Sequence, residues 1–361
     1  MANLTHITNS LKETSLKISI CLMVFLLNPD SVKAQAHKTD TLFLSDEIIN
    51  LELSSHFSEI RADTSKDPKP HPGKLIYHSP DGKTQIFNVK VRARGDFRRN
   101  PEICTFPPLL VNFRKSEVRN TIFNNQDKLK LVTACQREED VVEEYVIYKL
   151  YNQVTDLSLK VRLVKVRYFD TRKNKEVFER YSFFIEHEDQ MAERNDMTER
   201  NSFLTPFDLD RENFVKMAVF EYLIGNRDWF IASRRNVIIL QSVGNPKPLY
   251  SVPYDFDFAG LIDASYTKPR DVPEKFLSKR RVYKGLCNTE DEFGRTFELF
   301  RNLKPVFESI INNQELISKA TRKENLRYLE GFYTTIEDKE LFKKEFLDVC
   351  ETRKMYNLPD L

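Results

Sequence analysis

Apolar and polar residues alternate through most of the first half of the chain. Ile48–Ser55, "IINLELSS", has the two-residue period of a half-buried strand. "KLIYH" and "QIFNVKVRARG" flank Ser79-Pro80-Asp81-Gly82, a hairpin turn signal. "FPPLLVNF" (Phe106–Phe113) and "KLKLVT" (Lys128–Thr133) predict two more strands, and "VRLVKVRYFD" and "RYSFFIEH" a further pair around "TRKNKEV". Ser65–Lys74 reads as a Pro- and Lys-rich loop. Within Glu138–Asp156 the period changes, and Val142, Tyr145, Val146 and Leu150 form a helical stripe. From Asn201 onward helices dominate, with one over Asp210–Ile224 and a mostly amphipathic helical stretch over Glu290–Cys350. The exception follows Gly225-Asn226, where the β-rich runs "VIILQ" and "LYSVP" flank the turn "SVGNPKP" and predict a hairpin. Several strands with one helix, then mostly helices, read as α+β with two lobes. The expected division is a strand-rich lobe over 37–190 and a mainly helical lobe over 191–361, with a chemically distinctive segment at 225–263.

Composition supports a packed interior. Of 361 residues 40% are apolar and only 9 are glycine, against 27 phenylalanines and 14 tyrosines. The formal charge of +2 supplies no global field to recruit nucleic acid or anionic membrane. At the N-terminus, Lys12 and Lys17 precede the apolar run "ISICLMVFLL" and the small-x-small pattern Ala34-Gln35-Ala36. This predicts a signal peptide over 1–36, cut after Ala36, and an exported protein at the periplasm, cell surface or beyond, with no transmembrane anchor after cleavage. Export makes disulfides available to Cys104, Cys135, Cys287 and Cys350. Antiparallel pairing of the strands at Phe106–Phe113 and Lys128–Thr133 favours Cys104–Cys135, which leaves Cys287–Cys350.

Several familiar chemistries lack their residues. Gly82-Lys83-Thr84 has Tyr77 where a phosphate-binding loop needs glycine. The six histidines are scattered without HExxH, and no G-x-S-x-G elbow occurs. What remains lies around the second hairpin. Pairing of Ile238 with Val252 sets Asn236 across from Tyr254 and beside Asp255, and Asp228 lies in the loop that feeds the first strand. An amide oxygen and several carboxylates at one end of a hairpin form a hard-oxygen set suited to Mg²⁺.

The order helix, G-N-x-D, asparagine at a strand start, hairpin, then P-x-D-x-D resembles the catalytic segment of the spore-coat CotH-like kinases and, more distantly, the HipA-like kinases. "VKVRARGDFRR" resembles their arginine-glycine strand, "KLKLVTACQREEDVVEEYVIYKLYNQVTD" their strand followed by a helix, and "FFIEHEDQMAER" the strand and hinge between their lobes. The resemblance covers roughly Leu42 to Phe300 and implies a two-lobed protein-kinase-like fold with Mg²⁺ and ATP as cofactors. It implies Asp228 as the catalytic aspartate, and Asn236 and Asp255, with Asp257 as a second candidate, as metal ligands. Lys128 or Lys130 would contact the nucleotide phosphates and pair with Glu143 or Glu144. Arg94, with Arg92, Arg98 and Arg99, either grips phosphate or lines an exposed basic edge. The chain departs from kinases in three ways: Asp228 and Asn236 are three residues further apart than in D-x-x-x-x-N, "FPPLLVNF" carries no lysine, and no Gly-rich loop is present. The expected activity is phosphoryl transfer to a protein or glycan hydroxyl, the alternative a catalytically silent kinase-fold binding protein of the envelope. Lys268–Lys284, with seven basic and two acidic residues, is either an acceptor-facing segment or a solvated loop.

Overall fold

The alternating first half builds seven strands: β1 (Ile49–Ser55), β2 (His71–His78), β3 (Thr84–Ala93), β4 (Leu109–Phe113), β5 (Lys128–Thr133), β6 (Val161–Asp170) and β7 (Lys175–Ile185). The computed structural model describes residues 41–201, 204–267 and 279–349. The expected signal peptide, Cys350 with its expected partnership to Cys287, and residues 268–278 of the basic segment lie outside the described residues.

The strands close into a barrel in the order β1-β2-β3-β4-β5-β7-β6. Parallel pairing of β1 with β6 makes the closure, with Ile49 opposite Val164 and Ser55 opposite Asp170. The other neighbours run antiparallel. Inward positions of β1 are Ile49, Leu51 and Leu53, and those of β4 are Leu109, Val111 and Phe113, as a period of two requires. A small barrel is just wide enough for side chains to fill, and here aromatic rings do so: Phe57, Phe87, Phe106, Phe113, Phe123 and Phe184 are buried in it. The segment expected as a loop at Ser65–Lys74 is partly strand, because His71–Lys74 pair with Val91–Asn88 of β3. Cys104 and Cys135 form a disulfide. They flank the β4–β5 pair, in which Leu109 lies opposite Leu131.

Helix α1 (Phe57–Ala62) follows β1, and α2 (Glu138–Val154) follows β5 and packs outside the barrel on β6 and β7. The far side of α2 meets α4 (Arg211–Ile224) and α5 (Glu290–Asn312), so it is covered almost all round. A helix in that position should be apolar on every face, yet Asp140, Glu143 and Glu144 are among its buried residues. A short α3 (Glu188–Glu193) leads to a three-stranded sheet, β8 (Met197–Glu199), β9 (Val237–Ser242) and β10 (Asn245–Pro253), in the order β10-β9-β8. Helices α6 (Lys319–Glu337) and α7 (Lys339–Phe342) complete the α+β architecture, strand-rich first and helical after. No described helix is long and apolar enough to cross a membrane.

Candidate functional site

Helix α4 starts at Asp210, whose carboxylate accepts the Asn213 amide at 2.8 Å, and ends at Gly225 in the left-handed region, φ +70°. A side chain at 225 would also run into the Tyr328 hydroxyl. The next turn is built by Asn226, a buried residue whose Oδ1 accepts the Asp228 amide at 3.0 Å. Trp229 and Ile231 are buried beyond it, and Phe230 and Arg235 close the loop with two backbone hydrogen bonds at 3.0 and 2.9 Å. Asn236 enters β9 at φ +56° and donates from Nδ2 to the Asp228 carbonyl at 2.7 Å and carboxylate at 3.2 Å. The other Asp228 oxygen lies 2.6 Å from Arg235.

In the hairpin, Val252 stands opposite Ile238, and the Tyr254 amide donates to the Asn236 carbonyl at 3.0 Å. Asp255 follows at φ +64°, a conformation that costs an aspartate energy and that clusters at functional sites. Its amide donates to the Tyr148 hydroxyl on α2 at 2.9 Å. Phe256, wholly buried, packs on the Tyr148 ring with centroids 4.7 Å apart. The chain then returns to the end of α4, where Gly260 and Leu261 donate to the Gly225 and Ile224 carbonyls. The interruption at Gly225 thus seats two loops against each other, with Asp228 and Asn236 on one and Asp255 and Asp257 on the other.

The site is acidic and partly buried. Glu144 and Asp257 are both nearly inaccessible and lie 3.6 and 3.8 Å from the buried Arg98 guanidinium. Arg98 also donates to the Thr133 carbonyl, its Nε has no hydrogen bond, and Tyr266 stacks on it and donates to Asp257 at 3.4 Å. Burial, then the charge of Asp255, pushes the Asp257 carboxyl up, and Arg98 only partly opposes this. Burial followed by Asp257 raises Glu144 well above the carboxylate range. Two carboxyls therefore share one buried cation. Among the described residues no hydrogen bond or ion pair engages the Asp255 carboxylate. The Arg94 guanidinium, near enough to lower Glu144 and Tyr148, has no hydrogen bond or ion pair there either.

The N-terminal candidates fall out differently. Lys128 is exposed at the start of β5. Lys130 pairs with Glu188 of α3 at 2.7 Å and lies over the Tyr254 ring, so the lysine–glutamate pair expected with α2 is not made. Glu143 turns away from Asp255 and accepts from Asn325 of α6 at 2.8 Å. Glu144, one residue on, takes Arg98. Arg99 is consumed by Asp96 and by the Ser65 and Gly95 carbonyls, and Arg92 by Asp67.

Three contributors were not assigned roles in the sequence. Tyr148 lies four residues after Glu144, on the same helix face, a spacing that could have flagged it. Glu221 is buried on α4, and burial raises it well above its usual range, opposed by the neighbouring Asn226 side chain and the Lys284 charge. Lys284, the last residue of the basic segment, is buried and donates to the Arg227 and Trp229 carbonyls at 3.0 and 2.6 Å, clamping both sides of Asp228.

No protein-family model matches this chain, and no curated protein matches it. Among solved structures the chain is similar to the Helicobacter pylori proinflammatory kinase CtkA, with a TM-score of 0.35 and 14% identity over 69% of this chain and 91% of that one.

Proposed function

We propose that this chain has a protein-kinase-like fold, binds ATP with Mg²⁺ at the junction of the two loops, and transfers phosphate to a protein or glycan hydroxyl. The observation that carries this reading is the Asp255 carboxylate, held in a left-handed backbone beside Asn236 and Asp228 with no partner among the described residues. The donor set fits the ion: Asn236 spends its amide nitrogen on Asp228, which leaves Oδ1 available, and Asp255 and Asp257 add hard carboxylate oxygens. Bound there, Mg²⁺ would neutralise charge on the phosphates. Arg94, whose guanidinium has no hydrogen bond or ion pair among the described residues, supplies a fork suited to bidentate contact with the same phosphates. Asp228 orients the acceptor hydroxyl and takes its proton, while Lys284 and Asn236 hold its loop in register. Lys130, a strand lysine whose ammonium lies over the Tyr254 ring beside this junction, holds Glu188 of α3.

A second reading has its own support. Asp228 is already salt-bridged to Arg235, and Glu144 lies beside Arg98 instead of a strand lysine. Both arrangements suit a binding module of the cell envelope that keeps the fold without the reaction. Incubation with γ-labelled ATP and Mg²⁺ separates the two. The catalytic reading expects label on the protein or a co-incubated acceptor, reduced by about 10²–10⁴-fold in Asp228→Asn. Absence of transfer, or transfer indifferent to that substitution, removes the role given to Asp228.

A further inference from the structure

His56, Glu59 and His71 belong to none of the chemistry above. His56 closes β1 and precedes α1, Glu59 is one helical turn later, and His71 opens β2. Because β1 and β2 are paired neighbours, with Ser54 opposite Lys74, the return through α1 brings all three side chains to one barrel end. The two Nδ1 atoms are 3.3 Å apart. Glu59 Oε2 lies 3.3 Å from His71 Nδ1 and 3.7 Å from His56 Nδ1.

We propose that His56, Glu59 and His71 form a zinc-type metal site. Bonds of about 2.0–2.1 Å in a tetrahedron set neighbouring ligand atoms about 3.3–3.4 Å apart, and the observed triangle has nearly those edges. A hydrogen bond between two of these atoms uses one edge of the triangle. A single cation at the centre satisfies all three.

The surroundings are built for a ligand. The imidazoles are only 14% and 19% exposed, and their rings meet edge to face at 5.3 Å. Arg172, on the β6–β7 turn, takes Glu59 Oε1 at 2.5 Å and so turns Oε2 towards the histidines. Its charge opposes a cation, but two neutral imidazoles and a carboxylate remain a favourable set for a divalent ion. Such outer contacts orient metal ligands. The intervening loop is tied by Asp63, which accepts from the Ser65 and Lys69 amides, and Ser55 Oγ donates to the Pro72 carbonyl. Two nitrogens with one oxygen favour zinc or a neighbouring late transition metal over Mg²⁺ and Ca²⁺. Glu59, 43% exposed, leaves the fourth position to water. The metal would clip β1, α1 and β2 together and, through Arg172, reach the turn beside the β1–β6 closure.

The test titrates Zn²⁺, and Co²⁺ as a spectroscopic stand-in, into full-length chain stripped with chelator. The site predicts one tight equivalent, a rise in melting temperature absent with Mg²⁺, and Co²⁺ visible bands of four-coordinate intensity. His71→Asn and the near-isosteric Glu59→Gln should each weaken Zn²⁺ by more than the about 10–100-fold expected of an outer-contact change such as Arg172→Gln. Their metal-free melting temperatures show whether they fold. Failure of the wild-type chain to take up one equivalent overturns the proposal, as does uptake that neither variant weakens.

Discussion

Three acidic residues within five positions of α2 behave differently because their sets of neighbours differ. Asp140 faces Arg137 directly, Glu144 faces Arg98, and Glu143 accepts from Asn325 while its Oε2 lies 3.7 Å from Arg137 without a hydrogen bond among the described residues. Burial is the main reason that the Glu143 carboxyl is pushed up to about 8 from its ordinary 4.5. The folded chain therefore keeps a proton there that the unfolded chain releases near pH 4.5, so this contribution is full below pH 4.5 and is lost as pH rises towards 8. The loss is at most about 1.4 kcal/mol per pH unit. Urea denaturation of Glu143→Gln across that window should show stability that falls with pH by about one proton less than in wild type. Equal slopes would mean that Glu143 is already ionised in the folded state. The sequence of α2 could not reveal this, since its helical period is legible but the partner of each carboxyl depends on what packs against it. Arg98 illustrates the same limit: the arginine cluster is visible in "RARGDFRR", but its attachment to Glu144 is a contact across 46 positions.

Elements joined by local turns were the most legible. Helix α4 occupies Arg211–Ile224 with Asp210 as its cap, and the β9–β10 register has the expected Ile238–Val252 pair. Both rest on signals a few residues wide: an Asp cap, a glycine stop, and β-rich runs around a turn. Short elements without such periods, α1, α3 and β8, were not read. The stop at Gly225 carries the most structural consequence, because α4, the Asp228 loop and the returning Gly260 turn meet there. Gly225→Ala has to accept a left-handed backbone, at about 1–2 kcal/mol, and displace Tyr328 as well. A calorimetric melt should show at least that loss, together with weakened nucleotide binding. A variant as stable as wild type would show that the α4 terminus can adopt another geometry.

The whole molecule joins a closed barrel to a helical half through α2, whose outer face carries Glu144 and Tyr148 to the Asp255 turn. Barrel closure was not legible, because β1 and β6 are paired in parallel across more than a hundred positions and neither strand's pattern names its partner. A separation of 58 positions likewise hides the pairing of Lys130 with Glu188 in place of an α2 carboxylate. The acidic loop junction was legible in part: Asn236 donates to Asp228 beyond the Asx turn at Asn226, and the hairpin register sets Asp255 next to Tyr254, whose amide donates to Asn236. What they bind is the central claim, and a thermal melt in metal-free buffer with added Mg²⁺, ATP or both tests it most directly. Mg²⁺ with ATP should raise the wild-type transition, by about 2.7 kcal/mol of stability at a hundredfold excess over Kd, and Asp255→Ala should abolish the rise. No rise with any nucleotide and metal, or an equal rise in Asp255→Ala, would contradict it.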